Sequence, residues 1–137
     1  MDYWRISSST NQNLTSAFAA HRWGSNRKGE ISRLKVGDRL VFYCSRNDKK
    51  GGYRAAGVVT RERFLEDERL WLDDLYPFRI GFDLLLGPVD PPVRRAEMST
   101  ALGGSGLTHQ RQAAIIRLTA TEYQTMEQLL NKASVGR

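Results

Sequence analysis

Cysteine and histidine are scarce in this 137-residue sequence, which has one cysteine, Cys44, and two histidines, His21 and His109. A single cysteine permits no internal disulfide, and these three side chains are a poor ligand set for a transition metal. We therefore expect neither a metal site nor a disulfide framework. We interpret Cys44 as a small buried apolar residue rather than a nucleophile.

Long hydrophobic runs are absent as well. Runs such as Leu84–Leu86 are only a few residues long, whereas a membrane-spanning helix needs about 20 apolar residues. The first residues, Met1–Arg5, lack the basic and apolar regions of a signal peptide. The motifs of nucleotide-binding loops, zinc proteases and serine hydrolases are also missing. We expect a soluble cytoplasmic protein that needs no cofactor, has no catalytic residues and does not bind membranes.

Basic residues are in excess, and they are unevenly distributed. The formal net charge is +6. Residues 1–63 carry 13 basic and five acidic groups, while residues 64–90 carry two basic and seven acidic groups. This distribution favours a polyanionic partner for the first half of the chain, although the same cations could simply solvate the surface.

The length suits a single domain spanning residues 1–137. Runs rich in β-branched and aromatic residues predict strands at 3–6, 39–44, 53–60, 77–86 and 113–118. Helices are predicted at 11–21, 31–34, 96–102 and, after a Thr119–Glu122 capping box, up to Lys132. The pattern indicates an α+β fold, an open β-barrel of five or six strands in an antiparallel or mixed sheet with flanking helices.

Three tryptophans stand out among the aromatic residues. Trp4 lies in a predicted strand and is assigned to the core. Trp23 falls in a predicted loop, 23–26, next to Gly24 and close to Arg27. Its ring is suited either to core packing or to stacking on a nucleobase. Trp71 lies in the acidic stretch Glu66–Asp74, which we interpret as a solvated loop rather than acid–base machinery.

The order of these pieces resembles an EVE domain, a PUA-like β-barrel module related in fold to YTH and ASCH domains. The resemblance covers nearly the whole chain and is carried by Tyr3–Ser8, Trp23–Gly24, Leu34–Tyr43, Ala56–Val59, Tyr76–Ile80, Leu107–Gln112 and Thr119–Glu122. The sequence departs from the family at Ser7–Thr10, where many bacterial members have Lys-Ser-Glu-Pro. Its Trp23 loop is also shorter than the arginine- and asparagine-rich form.

The resemblance implies a reader module, in which a modified base of RNA or DNA is flipped into an aromatic cage and is not chemically changed. Trp23 would be the first wall of this cage. Gly24 and Ser25 would lend backbone contacts to the edge of the base. The opposing wall would come from Trp71 or, as an alternative, from Tyr76.

Polar and basic residues complete the expected site. The resemblance places Ser8 and Asn13 at the edge of the base, and it places His109 and Gln110 in the same cleft. Phosphate contacts are expected among the cations Arg22, Arg27, Lys28, Arg54 and Arg111, the last of them by resemblance.

Two other functions stay open at this point. An ASCH-like enzyme would hydrolyse an acylated nucleobase and would need a lysine, with threonine and glutamate, in the cleft; only Lys28 adjoins Trp23. A general RNA-binding PUA-like domain would read backbone and shape alone. The sequence also leaves open the choice of RNA or DNA, the modification, and whether an effector protein is a partner.

Overall fold

The computed structural model describes residues 1–46, 48–103 and 114–136. Its elements follow in the order β1 (Tyr3–Ser8), α1 (Asn11–Ala20), β2 (Arg22–Ser25), α2 (Lys28–Ile31), β3 (Arg39–Cys44), β4 (Gly52–Leu65), β5 (Phe78–Leu86), α3 (Arg95–Ala101), β6 (Ile115–Leu118) and α4 (Ala120–Gly136). Within these ranges, no helix is both long and apolar enough to cross a membrane.

The six strands form one mixed sheet in the order β2-β5-β4-β3-β1-β6. Strands β3, β4 and β5 follow one another as antiparallel neighbours, and β1 lies parallel to β3. Strands β2 and β6 pair antiparallel with β5 and β1 and form the two edges. The sheet is a half-barrel flanked by helices, which confirms the predicted α+β, PUA-like fold.

Side chains alternate across the sheet and supply two apolar clusters. One cluster contains Trp4 and Cys44, both buried as predicted, and packs against Leu14 and Phe18 of α1. The indole of Trp4 donates a hydrogen bond from Nε1 to Asp38 Oδ2 at 2.9 Å. The second cluster is covered by α4, through Tyr123, Met126 and Leu130, as the helical periodicity predicts.

Side chains cap the starts of α1 and α4. Oγ1 of Thr10 accepts a hydrogen bond from the backbone N–H of Asn13 at 3.1 Å, which begins α1. Thr119 and Glu122 exchange hydrogen bonds at 2.8 and 3.1 Å and form the predicted capping box of α4. The start of α1 matters for function because the candidate site lies beside it.

Three local predictions are wrong. The predicted loop at Trp23–Asn26 is largely strand β2, because the four residues Arg22–Ser25 pair with β5 and this long-range pairing leaves no local pattern. Strand β4 runs beyond Thr60 to Leu65, since it continues to pair with β5 through a polar stretch. The short helix before β3 begins at Lys28 and ends at Ile31, rather than spanning residues 31–34.

Candidate functional site

An irregular stretch, residues 66–77, connects β4 to β5 and carries Trp71; we call it the Trp71 segment. Arg79, at the start of β5, is 1% exposed and organises this segment. Its guanidinium donates to four acceptors at 2.6–2.9 Å: Glu66 Oε1 and the backbone oxygens of Glu68, Leu75 and Tyr76. A single buried arginine therefore fixes the backbone of the segment at both of its ends.

The indole of Trp71 links this segment to α1 and β2. Its ring meets Trp23 edge to face, with centroids 4.9 Å apart and planes at 79°. Tyr76 meets Trp71 in the same manner, at 4.9 Å and 74°. Nε1 of Trp71 donates a hydrogen bond to the backbone oxygen of Asn13 at 2.8 Å. Trp71 is thus held by two rings and by the first turn of α1.

Trp23 is buried to nearly the same extent as Trp71, which is 5% exposed. It lies within a paired strand, is 3% exposed, and also contacts Phe42 at a centroid distance of 5.8 Å. A Cβ at the neighbouring Gly24 would lie 2.8 Å from the backbone oxygen of Tyr76, so glycine lets the Trp71 segment approach β2. The structure brings Trp23 and Trp71 together, but they contact each other and leave no gap of a base's thickness between them.

A groove of about 490 Å³ lies outside Trp71, between the start of α1 and the Trp71 segment. Its lining includes Thr10, Asn13 and Ser16 on one side and Leu70, Trp71 and Asp73 on the other. The side-chain amide of the half-buried Asn13 makes no hydrogen bond within the described part of the chain. The groove has the size of a small-molecule site, with an aromatic wall and an available amide.

Three carboxylates of the Trp71 segment, those of Glu66, Asp73 and Asp74, bind other side chains. The hydroxyl of Tyr76 donates to the carboxylate of Asp73, and this hydrogen bond, aided by burial, raises the pKa of Tyr76 to about 12. Asp74 accepts a hydrogen bond from Asn26 at 3.0 Å. The interpretation as a solvated loop is wrong for Glu66, which pairs with Arg79. Over the described ranges, no three metal-ligating side chains come together.

Other predicted base contacts lie elsewhere. Ser8 does not line the groove; its hydroxyl accepts a hydrogen bond from the N–H of Thr10 at 3.3 Å. The hydroxyl of Ser25 is buried and closes a turn with the backbone of Arg27. His109 and Gln110 lie outside the described residues, and their roles stay predictions.

The predicted phosphate contacts differ in how exposed they are. Arg27 and Lys28 are exposed at the start of α2. Arg22 lies 3.9 Å from Glu66, and its guanidinium packs on the ring of Phe64. Arg54 donates to the backbone oxygen of Val89 and to Asn11 Oδ1, at 2.9 and 2.8 Å, so its guanidinium already serves the fold. Arg111 lies outside the described residues.

Sequence reasoning missed Arg79, whose role depends on contacts that only the folded chain makes. The period-2 pattern of β5 predicts that Phe78, Ile80 and Phe82 face the core. It gives no reason to select Arg79, which lies between the first two. The available signal was an arginine inside an otherwise apolar strand, with the carboxylates of Glu66 and Glu68 a short distance upstream. A buried arginine requires such partners.

The sequence matches no protein-family profile and no curated protein. Solved structures of the same fold include a hypothetical protein from Leishmania major, with 18% identity, 96% of each chain covered and a TM-score of 0.69. Rpa0253 from Rhodopseudomonas palustris has 20% identity, with 98% of this chain and 94% of that chain covered, and a TM-score of 0.62. The Mmi1 YTH domain in complex with RNA has 14% identity, 99% and 81% coverage, and a TM-score of 0.72. The chain therefore has a fold in common with YTH domains.

Proposed function

We propose that this protein binds single-stranded nucleic acid and reads a modified base at the groove beside Trp71, without changing the base chemically. The observation that carries the proposal is the pairing of an aromatic wall, Trp71, with the available side-chain amide of Asn13 in one groove. An aromatic face and an amide are the two elements with which proteins hold an unstacked base. The fold adds support, because the Mmi1 YTH domain was solved with RNA.

Entry of a base into a two-walled cage requires Trp71 to move, because the rings of Trp23 and Trp71 now touch. Trp23 is fixed by strand pairing, whereas Trp71 lies on an irregular segment and has a single hydrogen bond, to Asn13. Breaking that bond costs about 1 kcal/mol. Stacking of a base on an aromatic ring returns about 1–3 kcal/mol. Trp71 would also lose its edge-to-face contacts with Trp23 and Tyr76, each worth about 0.5–1.5 kcal/mol. A base stacked on both indoles would offset these losses, so we infer that Trp71 is the wall that turns.

A modification would be read through the apolar area that it adds to the cage. A buried methyl group contributes roughly 0.8 kcal/mol, which corresponds to about fourfold in affinity. The amide of Asn13 has both a donor and an acceptor, so it can bind the polar edge of a purine or a pyrimidine. The cage therefore supplies a modest preference for a methylated base over a plain one.

The hydrolase alternative gains no support from the groove. Thr10 and Asp73 line it, but no lysine in the described part of the chain does so. The hydrolase alternative depends on a lysine in the cleft to serve as nucleophile or base. Reading without turnover is the function that this arrangement favours.

The test compares the affinities of the protein for single-stranded RNA and DNA oligonucleotides nine nucleotides long. Each oligonucleotide carries one methylated adenine, one methylated cytosine or only unmodified bases. We expect Trp71→Ala to weaken binding of the preferred oligonucleotide by about 5- to 150-fold, equal to 1–3 kcal/mol of lost stacking. Leu65→Ala is the control, because Leu65 is an apolar residue that is 71% exposed and does not line the groove. Equal affinity of the Trp71→Ala variant and the unchanged protein for the preferred oligonucleotide would contradict the proposal. So would an unchanged protein that binds all the oligonucleotides with equal affinity.

A further inference from the structure

Basic side chains gather where the hairpin between β3 and β4 meets the start of α3. A cavity of about 300 Å³ lies between these elements, and Arg46, Arg94 and Arg95 are among the residues that line it. The exposed lysines of the hairpin, Lys49 and Lys50, extend the same basic region. We call this region the hairpin surface; it consists of Arg46, Lys49, Lys50, Arg94 and Arg95.

Most of this positive charge has no counterion in the structure. Arg46 is the exception, since its Nε donates to both carboxylate oxygens of Asp48, at 3.0 and 3.1 Å. This pairing lowers the pKa of Asp48 to about 2 and keeps the pair close to neutral. Among the described residues, no carboxylate lies within ion-pair distance of the other four cations. Glu97, in the first turn of α3, is the nearest acid along that helix.

Hydrogen bonds tie the hairpin to the edge of the groove. The backbone N–H of Ser45 donates to the carbonyl of Ser8 at 2.9 Å. The side-chain amide of Asn11 donates to the carbonyl of Lys50 at 2.7 Å. Ser8 and Asn11 flank Ser9 and Thr10, which line the groove. The cations are therefore held at a fixed position beside the opening of the proposed base site.

The opposite side of the groove has the opposite charge. The Trp71 segment exposes Asp67, Glu68 and Asp73. Phosphates next to a bound base would be repelled from this side and attracted to the hairpin surface. The charge distribution thus favours a path of the nucleic-acid strand from the groove towards the hairpin surface.

We infer that the hairpin surface binds the phosphates of the single strand whose base occupies the groove, an inference that rests on the proposed function. The surface is separate from Arg22, Arg27 and Lys28, and it contributes affinity without contributing base preference. The charges that bind these phosphates come from the four cations that have no ion-pair partner among the described residues, Lys49, Lys50, Arg94 and Arg95.

The test measures binding of the plain and the methylated oligonucleotides between 50 and 200 mM salt. The variant Lys49→Ala/Arg94→Ala is compared with Arg63→Ala/Lys132→Ala, which removes the same charge from exposed residues of β4 and α4. For single strands each lost phosphate contact lowers the salt slope by about 0.7, so we expect a decrease of about 1.4 in the first variant and none in the control. The preference for the methylated oligonucleotide should stay the same in both.

The outcomes separate this inference from the function on which it rests. Equal salt slopes in the two variants, with base preference intact, would overturn the inference and leave the reader proposal standing. Loss of base preference in Trp71→Ala, together with a lower salt slope in Lys49→Ala/Arg94→Ala alone, would support both. Binding of the unchanged protein to anionic phospholipid vesicles but to no oligonucleotide would overturn both, and would identify the hairpin surface as a membrane contact.

Discussion

The Trp71 segment and the hairpin surface lie at opposite sides of one groove and use their charges in opposite ways. In the segment, Glu66 is bound by Arg79, Asp73 by Tyr76, and Asp74 by Asn26. At the hairpin surface four cations have no such partner among the described residues. Carboxylates that are bound by other side chains hold the Trp71 segment in place, whereas cations without a partner remain available for a ligand. Base preference should therefore depend on the contacts that hold the Trp71 segment, and phosphate binding should not.

The largest expected effect on stability comes from substitution of Trp23, the indole that Trp71 contacts. Trp23→Ala would remove a nearly fully buried indole from the first cluster and should lower the free energy of unfolding by about 3–5 kcal/mol. Urea denaturation measures this loss. The control is Lys49→Ala/Arg94→Ala, which should change the free energy of unfolding by no more than about 0.5 kcal/mol. A Trp23→Ala protein of unchanged stability would show that Trp23 is held for binding and not for packing.

A smaller effect is expected at Arg79. Arg79→Met would leave Glu66 without its ion pair and three backbone oxygens without a donor, at a cost of about 3 kcal/mol in unfolding free energy. It should also abolish base preference, because the Trp71 segment loses its anchor, while leaving the salt slope of plain oligonucleotides unchanged.

Arg5→Met is the matched control for this substitution. Arg5 is 2% exposed, and its guanidinium lies 4.8 Å from the ring centroid of Tyr43, but its Nε and Nη2 have no hydrogen-bond partner. Because Arg5 lacks the ion pair and the set of backbone acceptors that bind Arg79, Arg5→Met should lower the free energy of unfolding by less than Arg79→Met. If both methionine variants unfold equally easily, the bonds of Arg79 are not what stabilises the Trp71 segment.

The sequence predicted most of the fold because much of the signal is local. The continuous apolar run of β3, the apolar alternation of β5, the cap at Thr10 and the capping box at Thr119 each involve residues close in the chain. Strand β2 was missed because its four residues are ordered only by pairing with β5, more than 50 positions away. Secondary structure of this kind follows from the assembled sheet and not from a residue pattern.

The candidate site was less predictable than the fold. The sequence singled out Trp23, Trp71 and Asn13, which the structure does bring together. It did not reveal that the two indoles touch, because side-chain contact across 48 positions depends on the path of the Trp71 segment. The sequence did not single out the cations of the hairpin surface, since their position beside the groove depends on contacts such as that of Asn11 with Lys50.

The most direct test of the central claim, that Trp71 is the ring that yields to a base, uses the indole N–H signals of ¹⁵N-labelled protein. Nε1 of Trp71 donates to Asn13, whereas Nε1 of Trp4 donates to the buried Asp38, does not line the groove and serves as an internal reference. At saturation with the preferred methylated oligonucleotide, we predict a large shift of the Trp71 signal and an unchanged Trp4 signal. A Trp71 signal that stays in place while the oligonucleotide is fully bound would contradict the account.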